Sequence, residues 1–212
     1  MPGVSADPDP KDKLLLCPDD RKGEPMDLIQ VPTLETERLR LRPFRTSDID
    51  DYAALHEDPE ISRYVGGTWD RGRSSRHLAF LVGHWQLWGS GMWAVEHRGT
   101  GAFVGTVGFA EPEGWPGCEL AWYLARRYWG FGYATEGAQV ALDYGFSALD
   151  KDRIISQIES GNLASIRVAE RLGMSLQGHC DALVREHLVY GIDRENYTEM
   201  GTPALTLAHS AA

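Results

Sequence analysis

The residues best suited to chemistry lie together in RRYWGFGYATEGA, residues 126–138. Arg126 and Arg127 precede Gly130 and Gly132, and a segment with helical spacing follows. Glycine lets the backbone approach a ligand closely, and the free N–H groups of a helix's first turn bind anions. The arginines add local positive charge to a chain whose formal net charge is −10. The stretch predicts a site for a phosphate-like anion, and turn glycines with solvated arginines are the alternative interpretation.

Two well-known phosphate-binding loops are excluded by the sequence. A Walker A loop needs Lys followed by Ser or Thr, and this dipeptide does not occur in the chain. The dinucleotide fingerprint G-x-G-x-x-G needs a third glycine where this chain has Thr135. If the stretch binds an anion, it does so with a loop of another kind.

Apolar periodicity predicts the elements that position this stretch. It indicates the order β–α–α–β–β–β–α–β–α–β–β, in which Asn162 caps a helix over 163–172 that ends at Gly173. The β–α–β unit after residue 118 needs a parallel crossover, whereas the hairpins around it need antiparallel pairing. We expect an α/β fold: a strongly twisted mixed sheet of about six to seven strands with helices on both faces. The remaining predicted strands are RLRLRPF (38–44), MWAVEH (92–97), AFVGTVGFA (102–110), CELAWYL (118–124), RIISQIE (153–159), MSLQGHC and EHLVYGI, and a helix over 73–91 precedes the second of them.

Composition bounds the domain organisation and the partners. Residues 1–32 are rich in Pro and Asp and predict a mobile tail, residues 33–200 predict one domain, and 201–212 predict a C-terminal tail. The absence of an apolar run of about 20 residues and of a secretory signal pattern predicts a cytoplasmic protein without a membrane partner. The acidic balance argues against nucleic-acid binding. Sparse cysteines, Cys17, Cys118 and Cys180, predict reduced thiols.

Four separated motifs give the sequence a family resemblance. Arg127-Tyr-Trp-Gly130-Phe-Gly132 fits [R/Q]-x-x-G-x-[G/A], which resembles the acyl-CoA pyrophosphate loop of the GNAT superfamily of N-acetyltransferases. RRYWGFGYATEGAQVALDYGF, GNLASIRVAERLGM (161–174), TERLRLRPF (36–44) and CELAWYL are similar to segments of the branch typified by ribosomal-protein N-terminal acetyltransferases. The resemblance runs from about residue 33 to 197, in order, and leaves out the N-terminal tail.

The resemblance implies acetyl-CoA as a cosubstrate and no metal. Backbone N–H groups from Arg127 to Gly132 would hold the pyrophosphate, and the free backbone of the strand before the loop would pair with the pantetheine arm. Asn162 would hydrogen-bond the pantetheine region, although a helix cap alone also explains it. The implied donor-binding residues are Trp122, Leu124, Arg126, Arg127, Gly130, Phe131, Gly132, Ala134, Asn162 and Ser165.

The implied reaction needs a group that takes a proton from the amine and a group that gives one to the departing thiolate. Glu119 is the predicted general base, with a solvent-facing strand carboxylate as the alternative. Ser165 and Tyr190 are the candidate general acids, although a first-turn hydroxyl and a core tyrosine are equally plain interpretations. In VYGI, Gly191 follows the tyrosine and departs from the family pattern.

The acceptor is expected to be a primary amine, either a protein N-terminus or a small aminated molecule. Trp69, Trp85 and Trp88 are predicted to wall its pocket, and a core stripe is the alternative for the pair spaced i, i+3. The rival functions are a non-catalytic acyl-CoA-binding or regulatory module and a nucleotide-phosphate binder. The family also suggests a homodimer.

Overall fold

The structure is a computed structural model that describes residues 28–180, 187–199 and 207–208. The predicted tail motif LLLC and Cys17 lie outside the described residues. Two single 3-10 turns, Thr46–Asp48 and Arg126–Tyr128, precede α1 and α4, respectively. The helices are α1 (Ile49–Glu57), α2 (Pro59–Ser62), α3 (Arg71–Trp88), α4 (Tyr133–Ser147), α5 (Leu163–Arg171) and α6 (Arg194–Glu199).

The described strands form one mixed sheet in the order β7-β8-β6-β5-β4-β3-β2-β1-β9. Every pairing is antiparallel except that of β5 with β6, as the predicted crossover requires. The α/β class and mixed sheet are confirmed, and the short strands β1 and β9 extend the sheet at one edge. The strands are β1 (Thr33–Glu35), β2 (Leu39–Arg42), β3 (Met92–His97), β4 (Phe103–Ala110), β5 (Glu119–Leu124), β6 (Arg153–Glu159), β7 (Ser175–Cys180), β8 (His187–Asp193) and β9 (Leu207–Ala208).

Alternation along the strands divides the core into two layers. In β2, Leu39 and Leu41 are buried in the layer under α4 and α5, as the Arg–Leu alternation predicts. On the opposite face of the same strand, the guanidinium of Arg42 is also buried, because it donates to Asp48 at 2.8 Å and to Glu96 at 2.7 Å. A buried arginine is tolerated here because its charge is paired on two sides.

The helices α1 to α3 cover the second face of the sheet. Leu78 and Leu81 of α3 pack with Tyr52 and Leu55 of α1 against the sheet. The helix α3 begins after the capping side chain of Asp70 and ends before a glycine in the left-handed conformation. This layer borders one end of the candidate site, because α2 belongs to both.

Parts of both predicted tails contact the domain. The backbone of Ile29 exchanges two hydrogen bonds with the Gln86 side chain, and Pro32 accepts one from the Trp93 indole. At the other terminus, β9 pairs with β1. Among the described residues, no helix is long and apolar enough to cross a bilayer.

Candidate active site

The site begins where β5 and β6 separate. Their parallel pairing is limited to Glu119 opposite Ile155, where the Ile155 amide donates to Cys118 O at 2.9 Å. The hydroxyl of Ser156 donates to Leu120 O at 2.6 Å, so a side chain extends the contact between the strands beyond the backbone pairing. Beyond it the two strands diverge, and within the described chain this edge of β5 has no further strand partner.

A cavity of about 1010 Å³ fills the gap between the diverging strands. Its walls are β5, β6, the loop 128–132, the first turn of α4, and α5, and its far end reaches α2 and the turn after it. The volume is suited to a large organic ligand, because ligand pockets commonly range from about 300 to 1,000 Å³.

The glycine loop brings the open end of α4 to this cavity. Gly130 and Gly132 both have φ of 81°, in the left-handed region that favours glycine, and Gly132 is the N-cap of α4. Because the N-cap residue is glycine, it has no side chain that could accept from the first-turn N–H groups. Its first-turn N–H groups, from Tyr133 to Thr135, have no acceptor within the helix and line the cavity together with the loop. The predicted anion cradle therefore has the backbone geometry that it needs.

A clamp that the sequence analysis missed holds this loop in place. The Glu136 carboxylate accepts from Thr36 Oγ1 at 2.5 Å and from the Arg38 amide at 3.0 Å. It also pairs with the Arg38 guanidinium, which donates in addition to Phe131 O at 3.0 Å. We call Thr36, Arg38 and Glu136 the loop clamp. It joins the turn between β1 and β2 to the loop and to the first turn of α4.

The two arginines of the motif do not line the cavity. Arg126 pairs with Asp58 at 3.2 Å, and Arg127 lies 3.9 Å from Asp51 and donates to Phe103 O. The sequence interpretation that their side chains supply charge at the cradle is therefore corrected, because both point toward the α1–α2 layer. The cations that line the cavity are Arg63, Arg167 and Arg171.

The predicted pantetheine-side residues do meet at the cavity. Trp122 and Leu124 line it from β5, and Asn162 and Ser165 line it from the start of α5. Asn162 caps α5, as predicted, by accepting from the Ser165 amide at 3.1 Å. The Trp122 indole donates to Ser165 Oγ at 3.2 Å across the gap. The carbonyl of Leu124 is already bonded to the Trp129 indole at 2.8 Å, so this carbonyl is less free than predicted.

Glu119 lies at the narrow end of the cavity, where the strands join. Its carboxylate is buried, which excludes the interpretation of a solvent-facing strand carboxylate. Burial raises its pKa, and this effect is opposed by hydrogen bonds from the Trp115 indole and from Gln157. A carboxylate whose pKa is raised toward neutrality is a stronger base than an exposed one.

The two candidate acids are separated by the structure. Ser165 reaches the cavity, whereas Tyr190 is buried in the core and faces Ser156 across the β6–β8 pairing. Tyr190 does not line the cavity. Tyr123, which was not singled out, does line it. It shares a strand face with Glu119, and the i, i+4 spacing along β5 was the available signal.

The predicted acceptor-side tryptophans do not line this cavity. Trp85 is a core residue whose indole donates to Met92 O at 2.9 Å and packs edge-on against Trp93. Trp88 is 46% exposed beside His84, outside the cavity lining. Trp69 stacks on His56 at 4.1 Å and also lies outside that lining. The core interpretation is therefore right for Trp85, whose pocket-wall role is corrected, whereas Trp69 and Trp88 are placed outside this cavity.

In the described ranges, no group of three or more His, Cys, Asp or Glu side chains could hold a metal ion. The described free cysteines are Cys118, which is buried, and Cys180, which is partly buried.

Comparisons with known proteins agree with this geometry. The model of the family described as an acetyltransferase (GNAT) domain matches residues 38–175. The protein YkkB of Bacillus subtilis (strain 168) is 35% identical over 144 residues, which cover 66% of this chain and 84% of that protein.

Solved structures share the fold. An acetyltransferase from Agrobacterium tumefaciens (strain C58) has a TM-score of 0.72 and 31% identity, covering 80% of this chain and 99% of that one. A Vibrio cholerae spermidine N-acetyltransferase, solved in complex with CoA and spermine, has a TM-score of 0.64 at 19% identity. It covers 77% of this chain and 99% of its own. The family model covers most of the domain, and the split between β5 and β6 with an uncapped α4 at its mouth agrees with it. This chain is therefore a member of the GNAT acetyltransferase family.

Proposed function

We propose that this protein moves the acetyl group of acetyl-CoA to a primary amine by direct attack within a ternary complex. The observation that carries the proposal is the opening between β5 and β6, which leads onto the uncapped first turn of α4. An extended donor with an anionic end fits these two features together. The unpaired edge of β5 would hydrogen-bond the amide-bearing arm of the donor as it would a neighbouring strand. The cradle would bind the pyrophosphate.

Positive groups around the cavity support an anionic donor, but they are not the arginines that the sequence predicted. Backbone N–H groups of the glycine loop and of the first turn of α4 would contact the pyrophosphate. Arg167 and Arg171, one turn apart on α5, bring positive side chains to the same cavity. In a chain of net charge −10, such local cations matter because the overall field repels an anionic donor.

The reaction requires positioning and two proton transfers. Glu119 would accept a proton from the ammonium form of the acceptor, directly or through water, and the amine nitrogen would then form a bond to the thioester carbonyl carbon. The carbon–sulfur bond breaks and the thiolate leaves. Ser165 would relay to the sulfur the second proton, which the attacking nitrogen loses as it becomes an amide, since its Oγ accepts from the Trp122 indole and its own O–H remains available. Tyr190 is too far into the core to be proposed in this role.

The acceptor is proposed only as a class. A fold neighbour whose complex contains CoA and spermine supports a small cationic amine. A protein N-terminus remains the second candidate from the sequence resemblance, and a cytoplasmic homodimer remains a prediction. The rival interpretation, a module that binds acyl-CoA without catalysis, is less favoured because the buried carboxylate of Glu119 reaches the same cavity as the cradle.

Calorimetric titration of acetyl-CoA tests the donor site. The variant Gly130→Glu, Gly132→Glu places two carboxylates in the cradle and is expected to abolish binding. Gly89→Glu, Gly101→Glu is the matched control, because both glycines also have positive φ (71°), a side chain added at either meets nothing within 4 Å, and neither lines the cavity. Equal binding of ATP or NAD, or binding that survives in the double variant, would contradict the cradle.

A second comparison separates the motif arginines from the cavity arginines. Removing the side chains of Arg167 and Arg171 together is expected to weaken acetyl-CoA binding by about tenfold or more. Removing those of Arg126 and Arg127 is expected to change it less. Transfer is then assayed with a panel that contains spermine, spermidine and short peptides with free N-termini. Tight donor binding without acetylation of any panel amine would favour the rival module.

A further inference from the structure

The loop between β4 and β5 places an indole against the proposed base. Trp115 Nε1 donates to Glu119 Oε2 at 2.6 Å, the shortest hydrogen bond that this carboxylate receives in the described chain. The loop is held at its start, where Lys151 pairs with Glu111 at 2.5 Å, and it turns through a bond from the Trp115 amide to Pro112 O. The indole therefore reaches Glu119 from an anchored loop and not from a free segment.

Two weaker donors complete the surroundings of the carboxylate. The Gln157 amide donates to Oε1 and its side-chain amide donates to Oε2, each at 3.3 Å. The orientation of this side chain is set by Cys180, whose thiol donates to Gln157 Oε1 at 2.9 Å. All of these donors are neutral. Burial removes the water that would solvate the carboxylate and so favours its protonated form. Where all donors are neutral, the carboxylate stays ionised only if their hydrogen bonds offset that loss of solvation.

We propose that Trp115 is a positioning residue that keeps the carboxylate of Glu119 ionised and oriented, so that the β4–β5 loop sets the lower pH limit of acetyl transfer. The proposal rests on the proposed function, in which Glu119 is the base. Its geometric basis is the 2.6 Å contact at a buried site, because a hydrogen bond to a charged group is stronger than one to a neutral group. Without the indole, the carboxyl would hold its proton to higher pH.

Other ionisable groups face Glu119 and must be kept constant in a test. His187 on β8 acts on it electrostatically and lowers its pKa, while Tyr123 and Cys118 lie on or beside its own strand. Cys180 on β7 reaches it only through Gln157. The substitution Trp115→Phe leaves all four in place and removes only the indole donor.

The first test reads Glu119 directly and needs no acceptor. In protein labelled with ¹⁵N-tryptophan, the indole N–H signal of Trp115 is identified by its loss in Trp115→Phe and followed from pH 4 to pH 10. It is expected to move with a single titration that disappears in Glu119→Gln. A Trp115 signal that has the same position and pH response in wild type and Glu119→Gln would overturn the proposal.

The second test reads the rate, with acetyl-CoA and the amine that gives the highest kcat/KM in the panel. Trp115→Phe is expected to move the acid limb of the kcat/KM profile upward by about one to two pH units while the plateau at high pH is largely retained. Trp88→Phe, the same chemical change at an exposed tryptophan outside the cavity lining, is expected to keep the wild-type limb.

The outcomes separate the inference from the proposed function. An unmoved acid limb in a folded Trp115→Phe variant, with Glu119→Gln inactive, would refute the role of Trp115 and leave Glu119 as the base. An active Glu119→Gln enzyme would refute Glu119 as the base. Unchanged signals of the remaining indoles show that the variant is folded. Absence of transfer to every amine would refute the proposed function, whatever the indole titration shows.

Discussion

Replacing Glu136 with glutamine tests the loop clamp with a change of charge and almost none of shape. The wild-type carboxylate accepts three hydrogen bonds, from Thr36 Oγ1, the Arg38 amide and Arg38 Nε, and its Oε2 also lies 2.5 Å from Arg38 Nη2 in an ion pair. Glutamine has only one oxygen. Whichever way it turns, its NH₂ group faces donors on one side, and the bonds that remain are no longer assisted by a negative charge.

The expected loss follows from these contacts. Hydrogen bonds to charged groups contribute about 1.5–3 kcal/mol each, and neutral ones about 0.5–1.5 kcal/mol. The Arg38 side chain is 42% exposed, so its ion pair is screened by solvent and contributes little, whereas Glu136 is only 18% exposed. The bonds from Thr36 and from the Arg38 amide therefore dominate. We expect Glu136→Gln to lower the free energy of unfolding by about 1–2 kcal/mol at pH 7.

The pKa of Glu136 determines how the stability difference between wild type and variant changes with pH. Burial acts to raise the pKa of Glu136, but the hydrogen bonds from Thr36 and Arg38 outweigh it and place the pKa below its usual value of 4.5. A carboxyl with a lowered pKa stabilises the fold above pH 4.5, and this contribution is lost as the pH falls through the folded-state pKa. The difference between wild type and variant should therefore shrink on acidification.

Urea denaturation at several pH values measures the effect, and Glu170→Gln on the exposed face of α5 is the control for loss of one negative charge. Because Arg38 also donates to Phe131 O in the cradle, we expect acetyl-CoA to bind the Glu136 variant about threefold to tenfold more weakly. If Glu136→Gln unfolds like Glu170→Gln at every pH, the clamp does not stabilise the loop and the reasoning is wrong.

Three further predictions concern stability. A Cβ at Gly145 would lie 2.6–2.7 Å from side-chain atoms of Ile154 and Phe109, whereas a Cβ at Gly137 would lie 3.4 Å from its nearest neighbour. Thermal or urea unfolding should therefore show Gly145→Ala to be about 1–3 kcal/mol less stable than Gly137→Ala. Asp48→Asn should lower the free energy of unfolding by about 3–5 kcal/mol, because it leaves Arg42 buried with one carboxylate fewer; equal stability in urea would contradict this. The buried imidazole of His56 has no hydrogen-bond partner in the described chain, and burial lowers its pKa to about 4, so stability is lost as the pH falls from about 6.5 toward 4. His56→Phe should remove that acid loss and gain about 1 kcal/mol at pH 7, and an unchanged pH profile of unfolding would refute it.

Features set by near neighbours in the chain were accessible from the sequence. The cap of Asn162 on Ser165 spans three residues, and the positive φ of Gly130 and Gly132 follows from the residue type. The parallel crossover between β5 and β6 follows from the order of elements, because a helix between two adjacent strands requires it. These features were enough to predict the fold class and the place of the glycine loop before α4.

Features set by the packing of distant segments were not accessible. The loop clamp joins Arg38 to Glu136 across 98 positions, and no local pattern specifies that contact. Trp85 and Trp88 are one helical turn apart, yet one is in the core and the other is 46% exposed, because the edge of the buried helical face falls between them. The direction of the Arg126 side chain likewise depends on where α2 presents Asp58.

The single residue pair between β5 and β6 also has a mechanical consequence. Strands β1 to β5 with β9 form one half-sheet and β6 to β8 form another, and their backbones are joined only at Glu119 and Ile155. The angle at which the two half-sheets meet at this junction sets the width of the cavity between them. Bulk added at Ile155 is therefore expected to alter which acyl chain lengths the proposed donor site admits, although Ile155 does not itself line the cavity. If the proposed donor binds there, selection among acyl chain lengths would depend on the angle of this junction as well as on the residues that line the cavity.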